Sequence, residues 1–397
     1  MTNLLLKQRY LHHYIDADLE EKMVLLDGPR QVGKTTLAKS MVRSSEKLVY
    51  LNYDNTTHRR QLLKMEWEGN ADFLVFDELH KYPKWKSWLK GIWDTRKAGE
   101  KILVTGSSRL DVYRRGGDSL MGRYHHYRLH PFSLRELAGK FSKENTQETS
   151  LPLLNHPQDL SGMDDLMALG GFPEPLLSGS QRAWRRWGKE RFERVFREDI
   201  RDTSSIKALG QLELLGQLLP SRVASPLSMQ SLSEDVDTSP KTVKEWIELL
   251  RRNYYLFQVP PWHRRLERAL KKESKYYLWD WSQVPEKGPR FENLIASHLL
   301  KYCHYQEDVH AFNVKLYYVR DTAKREVDFL VVWDDKPWLL VECKSTVPAD
   351  AKNLNTFAER LGVKHRFIVC LASGINLEDR ITGVRTMSAS LFLSMLV

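Results

Sequence analysis

Residues 24–42, "VLLDGPRQVGKTTLAKSMV", constrain this chain more than any other stretch. An apolar run, Met23–Leu26, meets Gly28-x-x-x-x-Gly33-Lys34-Thr35 and then a helical pattern. Strand, glycine-rich turn and helix in that order make a loop that wraps phosphate, with backbone N–H groups and the helix N-terminus aimed at the anion. Gly28, Pro29, Arg30, Gln31, Val32, Gly33, Lys34, Thr35 and Thr36 are therefore the candidate contacts for ATP. Lys34 is placed to reach the β and γ phosphates, and Thr35 to offer its hydroxyl to Mg²⁺.

Two further apolar runs suit the same site. "DFLVFDELH" ends in Asp77 and Glu78. Asp77 is expected to hold Mg²⁺ through water, and Glu78 to orient and activate the attacking water. "KILVTGSS" ends in Thr105, Ser107 and Ser108, short hydroxyls that can sense a γ-phosphate at the edge of an open α/β sheet. Strands alternating with helical stretches imply a mostly parallel, three-layer α/β domain. Arg123, after Gly122, is expected at the rim, where it could stabilise charge on a neighbouring subunit's nucleotide; Arg114 and Arg115 compete for that role.

A length of 397 residues predicts two to four domains. Apolar runs are too short to span a bilayer, and the N-terminus meets charge too early for a secretory signal. Three cysteines without paired spacing favour neither disulfides nor a zinc site, so a reduced, cytoplasmic setting without membrane contact is expected. A net charge of +10 favours a polyanionic partner, with DNA the first expectation.

After a polar loop at 139–165, "QRAWRRWGKERFERVFREDIRD" reads as a core-packing helix with Arg185, Lys189, Arg191 and Arg197 among its polar positions. Residues 204–260 read as helix, turn, helix and strand, the winged-helix pattern. Ser239 is the expected N-cap and Pro240 the first helical residue; Val243, Trp246, Ile247 and Leu250 point inward, and Lys241, Thr242 and Lys244 outward. "PPWHRRLERALKKESK" suits phosphate contacts or a mobile connector. Packing between domains, without DNA, is the open alternative for this module.

"EVDFLVVWDDKPWLLVECKS", residues 326–345, reads as a hairpin that places Asp328 opposite Glu342, with Lys344 on the same face. Two facing carboxylates repel, and a divalent cation would resolve the conflict. Lys344 would then act on the attacking water or on developing charge. Glu292, in the amphipathic "GPRFENLIASHLLKYC", can supply a third carboxylate. A surface hairpin with an ion-paired Glu342 and Lys344 is the alternative.

With "GPRQVGKTTL", "FLVFDELHK", "LVTGSS", "GGFPEPL", "YLWD" and "FENLIA…EVDFLVV…LLVECKS" in view, nearly the whole chain resembles prokaryotic AAA+-type ATPases whose C-terminal domain is similar to PD-(D/E)xK nucleases. That resemblance implies a P-loop AAA+-type parallel sheet at 1–160, a helical lid or connector at 161–203, a winged-helix-like module at 204–275, and a restriction-endonuclease-like α/β domain at 276–397. Cys343 stands where the family often has Val. ATP with Mg²⁺, a second site taking Mg²⁺ or Mn²⁺ at Glu292, Asp328 and Glu342, DNA and a homo-oligomer are the expectations. Rival readings are a nucleotide-regulated scaffold and a signalling ATPase that binds a protein partner without cleaving.

Overall fold

The structure, a computed structural model, describes residues 9–67, 70–107, 120–140, 157–200, 208–263 and 273–397. They form two compact units, one ending at His130 and the other beginning at Pro131.

The first unit carries strands β1 (Met23–Asp27), β2 (Leu48–Asn52), β3 (Phe73–Asp77), β4 (Lys101–Gly106) and β5 (Tyr124–Arg128). They pair in the order β2-β3-β4-β1-β5, all parallel. β1, β3 and β4 are buried at every position, which is why they run apolar instead of alternating. The helices Thr56–Lys64 and Trp85–Thr95 supply Leu62, Trp88, Leu89 and Ile92 to a core with Leu25, Leu74 and Phe76. Because β4 lies between β1 and β3, the glycine loop, the acidic pair and the hydroxyls all emerge at the same edge of the sheet.

The second unit begins with a segment that the sequence reading gave to the first domain. Ser133 and Glu136 form a reciprocal cap on the short helix Leu134–Leu137. Phe132 N–H donates to the Gly171 carbonyl at 2.7 Å, and the Arg135 guanidinium to that of Leu396 at 3.3 Å. The buried Glu136 carboxylate pairs with the buried ammonium of Lys301, which also donates to the Pro131 carbonyl at 3.1 Å. Residues 131–137 thus pack within the second unit.

The Gln181–Arg194 helix buries Trp187 as expected, but it also buries Arg191, read from sequence as a polar-face residue. Arg191 lies 4.5 Å from the Phe172 ring centroid and donates to the Tyr254 carbonyl at 3.1 Å. The helices Met229–Asp235 and Pro240–Arg252 follow, with Ser239 Oγ accepting from Thr242 N–H at 3.1 Å. Val243, Trp246, Ile247 and Leu250 are buried; Lys241 and Lys244 are exposed and Thr242 is half-buried. Strands β6 (Leu256–Val259) and β7 (Lys275–Leu278) then pair antiparallel. Arg264, Arg265, Lys271 and Lys272, like Ser108, Arg114 and Arg115, lie outside the described residues.

A six-stranded mixed sheet completes this unit: β8 (Val314–Arg320), β9 (Glu326–Trp333), β10 (Lys336–Lys344), β11 (His365–Cys370), β12 (Asn376–Glu378) and β13 (Val384–Ser388), in the order β12-β13-β11-β10-β9-β8. The Lys352–Leu361 helix packs Leu354, Phe357 and Ala358 against Leu330, Val332, Leu340 and Ile368. The long Lys287–His310 helix packs against β8, β9 and β10. Between β8 and β9 the register shifts, so that Asp328 and Phe329 face the single residue Tyr318, a bulge that re-aims side chains.

Removing one partner of a buried ion pair leaves an uncompensated charge. Lys301→Met is therefore expected to destabilise the second unit by about 3–5 kcal/mol, while Lys301→Met with Glu136→Leu recovers most of the loss. Calorimetric melting of both variants against the parent measures this; equal losses would disprove it.

Candidate nucleotide site and carboxylate cluster

The glycine loop turns through positive φ at Gly28, Gln31 and Gly33. A Cβ on Gly28 would stand 2.4 Å from the Leu129 carbonyl oxygen, so this position needs glycine for space as well as for its φ of 145°. Lys34 is buried, and its ammonium donates to the carbonyls of Gly28 at 2.8 Å and Pro29 at 2.9 Å. Burial pushes its pKa down, opposed by the nearby Glu78, Asp77 and Asp27. Thr35 Oγ1 donates to Asp77 Oδ2 at 3.0 Å, bringing together the two groups assigned to Mg²⁺. Glu78 takes a left-handed φ of 56°, and its Oε2 accepts from Ser107 Oγ at 2.7 Å. His80 Nδ1 lies 3.6 Å from the same oxygen, and burial pushes this imidazole towards its neutral form. The donor set, a buried lysine beside a hydroxyl–carboxylate pair, fits a triphosphate with its cation.

Sequence reasoning missed two members of this site. Tyr50 and Asn52, two apart on β2 and so on one face, both reach Asp77. The Tyr50 hydroxyl donates to Asp77 Oδ2, and Asn52 Nδ2 donates to the same oxygen at 3.3 Å. Thr105 donates to Asp77 Oδ1. Burial, helped by the hydrogen bond to Asp77, pushes the Tyr50 phenol up to about 12, so it stays a donor. The signal was available in the parallel register that sets Asn52 beside Asp77, but register requires knowing that β2 neighbours β3.

Arg123 lies at the other end of the sheet. Its carbonyl accepts from Met23 N–H, at the start of β1, whereas the phosphate loop follows the end of β1. Its guanidinium pairs with Asp94 at 2.9 Å and holds that carboxyl below its usual range. Arg123 therefore cannot serve its own loop.

In the second unit, the β9–β10 ladder runs through Leu330–Leu340 and Phe329–Val341, so the next step would set Asp328 against Glu342. The ladder ends there, and Asp328 Oδ2 accepts the Cys343 N–H at 2.8 Å. Glu342 and Lys344 share the face of Leu340, which packs on the Lys352–Leu361 helix, and they pair at 2.7 Å. Burial pushes the Glu342 carboxyl up, against the pull of Lys344. Glu292 is engaged elsewhere. It accepts from Tyr277 at 2.7 Å and from Lys275 at 3.1 Å.

Lys275 is the correction to the sequence reading. It ends the basic stretch that suits phosphate contacts or a mobile connector, yet it is 1% exposed and cannot touch a phosphate. Its ammonium lies 2.7 Å from Glu326, 3.1 Å from Glu292 and 3.7 Å from Asp328. Of the facing pair assigned to a divalent ion, Asp328 is met here by the Lys275 ammonium and Glu342 by that of Lys344. Burial and the nearby Asp328 still push Glu292 up to about 7. Burial, then Asp328 and Glu292, push the Cys343 thiol up. Among the described residues no three His, Cys, Asp or Glu side chains converge as metal ligands. The set Glu292, Asp328 and Glu342 thus does not fit a metal in this arrangement: Glu292 and Glu342 are held by different lysines, with Asp328 between.

Residues 20–138 match a family described as an AAA domain. Residues 161–284 and 287–386 match two domains of unknown function, DUF8612 and DUF4143. An uncharacterised protein of Methanocaldococcus jannaschii is 23% identical over 353 residues, covering 82% of this chain and 77% of its own. One from Haemophilus influenzae is 22% identical, covering 74% and 78%. A crystal structure of a signal transduction ATPase with numerous domains and a tetratricopeptide repeat sensor, from Pyrococcus horikoshii, aligns at 12% identity with a TM-score of 0.27. That alignment spans 74% of this chain and 47% of the other, and at such a score no fold relationship follows. The chain carries an AAA-type P-loop domain, and no described helix is long and apolar enough to cross a membrane.

Tyr50→Phe keeps the ring and removes one donor to Asp77. Its ATP turnover is expected to fall roughly tenfold and to need more Mg²⁺ for half-maximal rate, as loss of a carboxylate's outer partner commonly does. Phosphate release titrated with Mg²⁺ checks this; an unchanged Mg²⁺ dependence would remove Tyr50 from the site.

Proposed function

We propose that the chain is an ATP-hydrolysing switch whose AAA-type domain governs a C-terminal centre acting on DNA phosphodiesters, in the manner of PD-(D/E)xK nucleases. The observation that carries the first half is the Glu78 carboxylate, held by Ser107 at the edge where Lys34 and the Thr35–Asp77 pair also stand. Gly28 to Thr36 would bind the triphosphate, and Thr35 and Asp77 would hold Mg²⁺, which supplies charge neutralisation on the phosphates. Glu78, acceptor of one Ser107 hydrogen bond, has its other oxygen available to orient a water and take its proton. Arg123, at the far end of the sheet from its own loop, would act only on the nucleotide of a second copy, so hydrolysis by this route calls for a homo-oligomer.

Asp328, Glu342 and Lys344 at one end of the β9–β10 pair, with Glu292 close to Asp328, support the second half. So does the +10 charge, which favours a polyanion. The helix pair and β6–β7 hairpin support a winged-helix-like module for DNA, with Lys241 and Lys244 exposed on its second helix. Lys275 favours a second reading: a carboxylate cluster already neutralised by an ammonium is a binding module that does not cut.

Lys34→Ala should lose triphosphate binding. Glu78→Gln should bind ATP and turn over about 100-fold more slowly or worse. Phosphate release and nucleotide binding on both test the first half, which fails if Glu78→Gln turns over normally. Plasmid nicking by the parent in Mn²⁺, abolished by Asp328→Asn and by Lys344→Ala, tests the second. A parent that nicks nothing with or without ATP would establish the binding module.

A further inference from the structure

Arg9 is 7% exposed and stands just before the first described helix, His12–Asp18. Burying a guanidinium is costly unless its N–H groups find acceptors. One terminal nitrogen, Nη1, donates to the Val32 carbonyl at 2.8 Å, and the other, Nη2, donates to the His130 carbonyl. The two carbonyls belong to different elements. Val32 lies in the glycine loop, and His130 follows the end of β5 by two residues. The His130 end is tied to the sheet. Leu129 N–H donates to the Asp27 carbonyl at 2.8 Å, the Tyr10 hydroxyl to the Arg128 carbonyl at 2.7 Å, and His130 N–H to the Tyr10 hydroxyl at 3.4 Å. Arg9 therefore braces the loop against the exit of β5.

The brace has a direction. The Val32–Gly33 peptide is trans, so its C=O and N–H point opposite ways. Holding the Val32 carbonyl towards Arg9 turns the Gly33 N–H away from it. Among the described residues that N–H has no acceptor. Lys34, the next residue, holds the Gly28 and Pro29 carbonyls at 2.8 and 2.9 Å. Two cations thus hold three carbonyls of the loop, which leaves its N–H groups for an anion. We propose that Arg9 is a positioning residue for the nucleotide, fixing the Val32 peptide plane so that the Gly33 N–H meets the α and β phosphates that such a loop cradles. The proposal deepens the ATP reading of the loop and rests on it. With both terminal nitrogens already donating to carbonyls, Arg9 acts on the nucleotide only through the loop.

The test uses the full-length chain with Mg²⁺. ADP binding is read by titration calorimetry, ATP turnover by phosphate release, both well below the melting temperature, and stability by calorimetric melting. Arg9→Met keeps an unbranched stem and removes every donor. It should weaken ADP binding and raise KM for ATP about tenfold, with kcat within about twofold of the parent, as loss of one hydrogen bond to a charged group would do. Arg9→Lys keeps the charge but not the fork that reaches two carbonyls, and should fall between the two. Tyr10→Phe loses two ties at the β5 exit and none at the loop; it should melt lower and keep the parental ADP affinity. Should Arg9→Met fail to fold, Arg9→Lys decides: weaker ADP binding at the parental melting temperature upholds the brace, and parental binding overturns it. Parental ADP affinity in Arg9→Met, an equal loss in Tyr10→Phe, or a loss confined to kcat makes Arg9 an anchor of the fold alone. Any of these overturns the proposal and leaves the nucleotide reading of the loop standing. A parent that binds neither ADP nor ATP overturns both.

Discussion

The C-terminal unit is organised around a buried ammonium. Glu292, Glu326 and Asp328 come from one helix and one strand, and each approaches Lys275 within 3.7 Å. Without a cation among them, three half-buried carboxylates in so small a volume would repel one another. The long helix, the bulged strand β9 and the β6–β7 hairpin are consequently fixed to one another by charge as well as by packing. Lys301 does the same for residues 131–137, whose Glu136 is fully buried. A ring of apolar contacts would tolerate sliding, whereas these pairs set one position for each partner.

Periodicity made much of the fold legible. β1, β3 and β4 run apolar because both faces of a parallel sheet are covered, and Pro240 behind Ser239 announced a helix start that the structure keeps. Glu78, Ser107, Asp77 and Thr35 could be brought together on paper because each ends or follows an element of one sheet. Residues whose meaning depends on a distant neighbour were not legible. Tyr50 and Asn52 matter through the β2–β3 register, and no local signal distinguishes them from other strand residues. Lys275 followed a run of basic residues, and composition placed it with them; only the pairing of β7 with β6 turns it inward. Arg191 misled for the same reason, since a helical wheel shows which face a residue occupies but not that the facing residues are Phe172 and the Tyr254 carbonyl. The hairpin register was readable as far as Val341 and Phe329, while the bulge opposite Tyr318 was not, because it needs β8.

The strand order explains how far apart the two ends of the first sheet are in function. Every parallel strand delivers its C-terminal end to one edge, so that edge collects the loop, the acids and the hydroxyls. The opposite edge receives only strand starts, and Arg123 is there. A side chain at that edge can matter to a nucleotide only where another molecule brings one to it.

Gly28 has a consequence for recognising degenerate relatives. Its lack of a side chain is demanded by the Leu129 carbonyl 2.4 Å from where a Cβ would be, a contact inside the protein that exists with or without a nucleotide. A descendant that stopped binding ATP would still be obliged to keep this glycine in order to seat β5 beside β1. No steric demand of that kind falls on Lys34 or Thr35, whose ties within the protein are hydrogen bonds to the loop carbonyls and to Asp77. The first glycine of the loop is thus a marker of the architecture, and the lysine and threonine are the markers of its chemistry, so a chain retaining one without the others would be a fossil of the site and not a working copy.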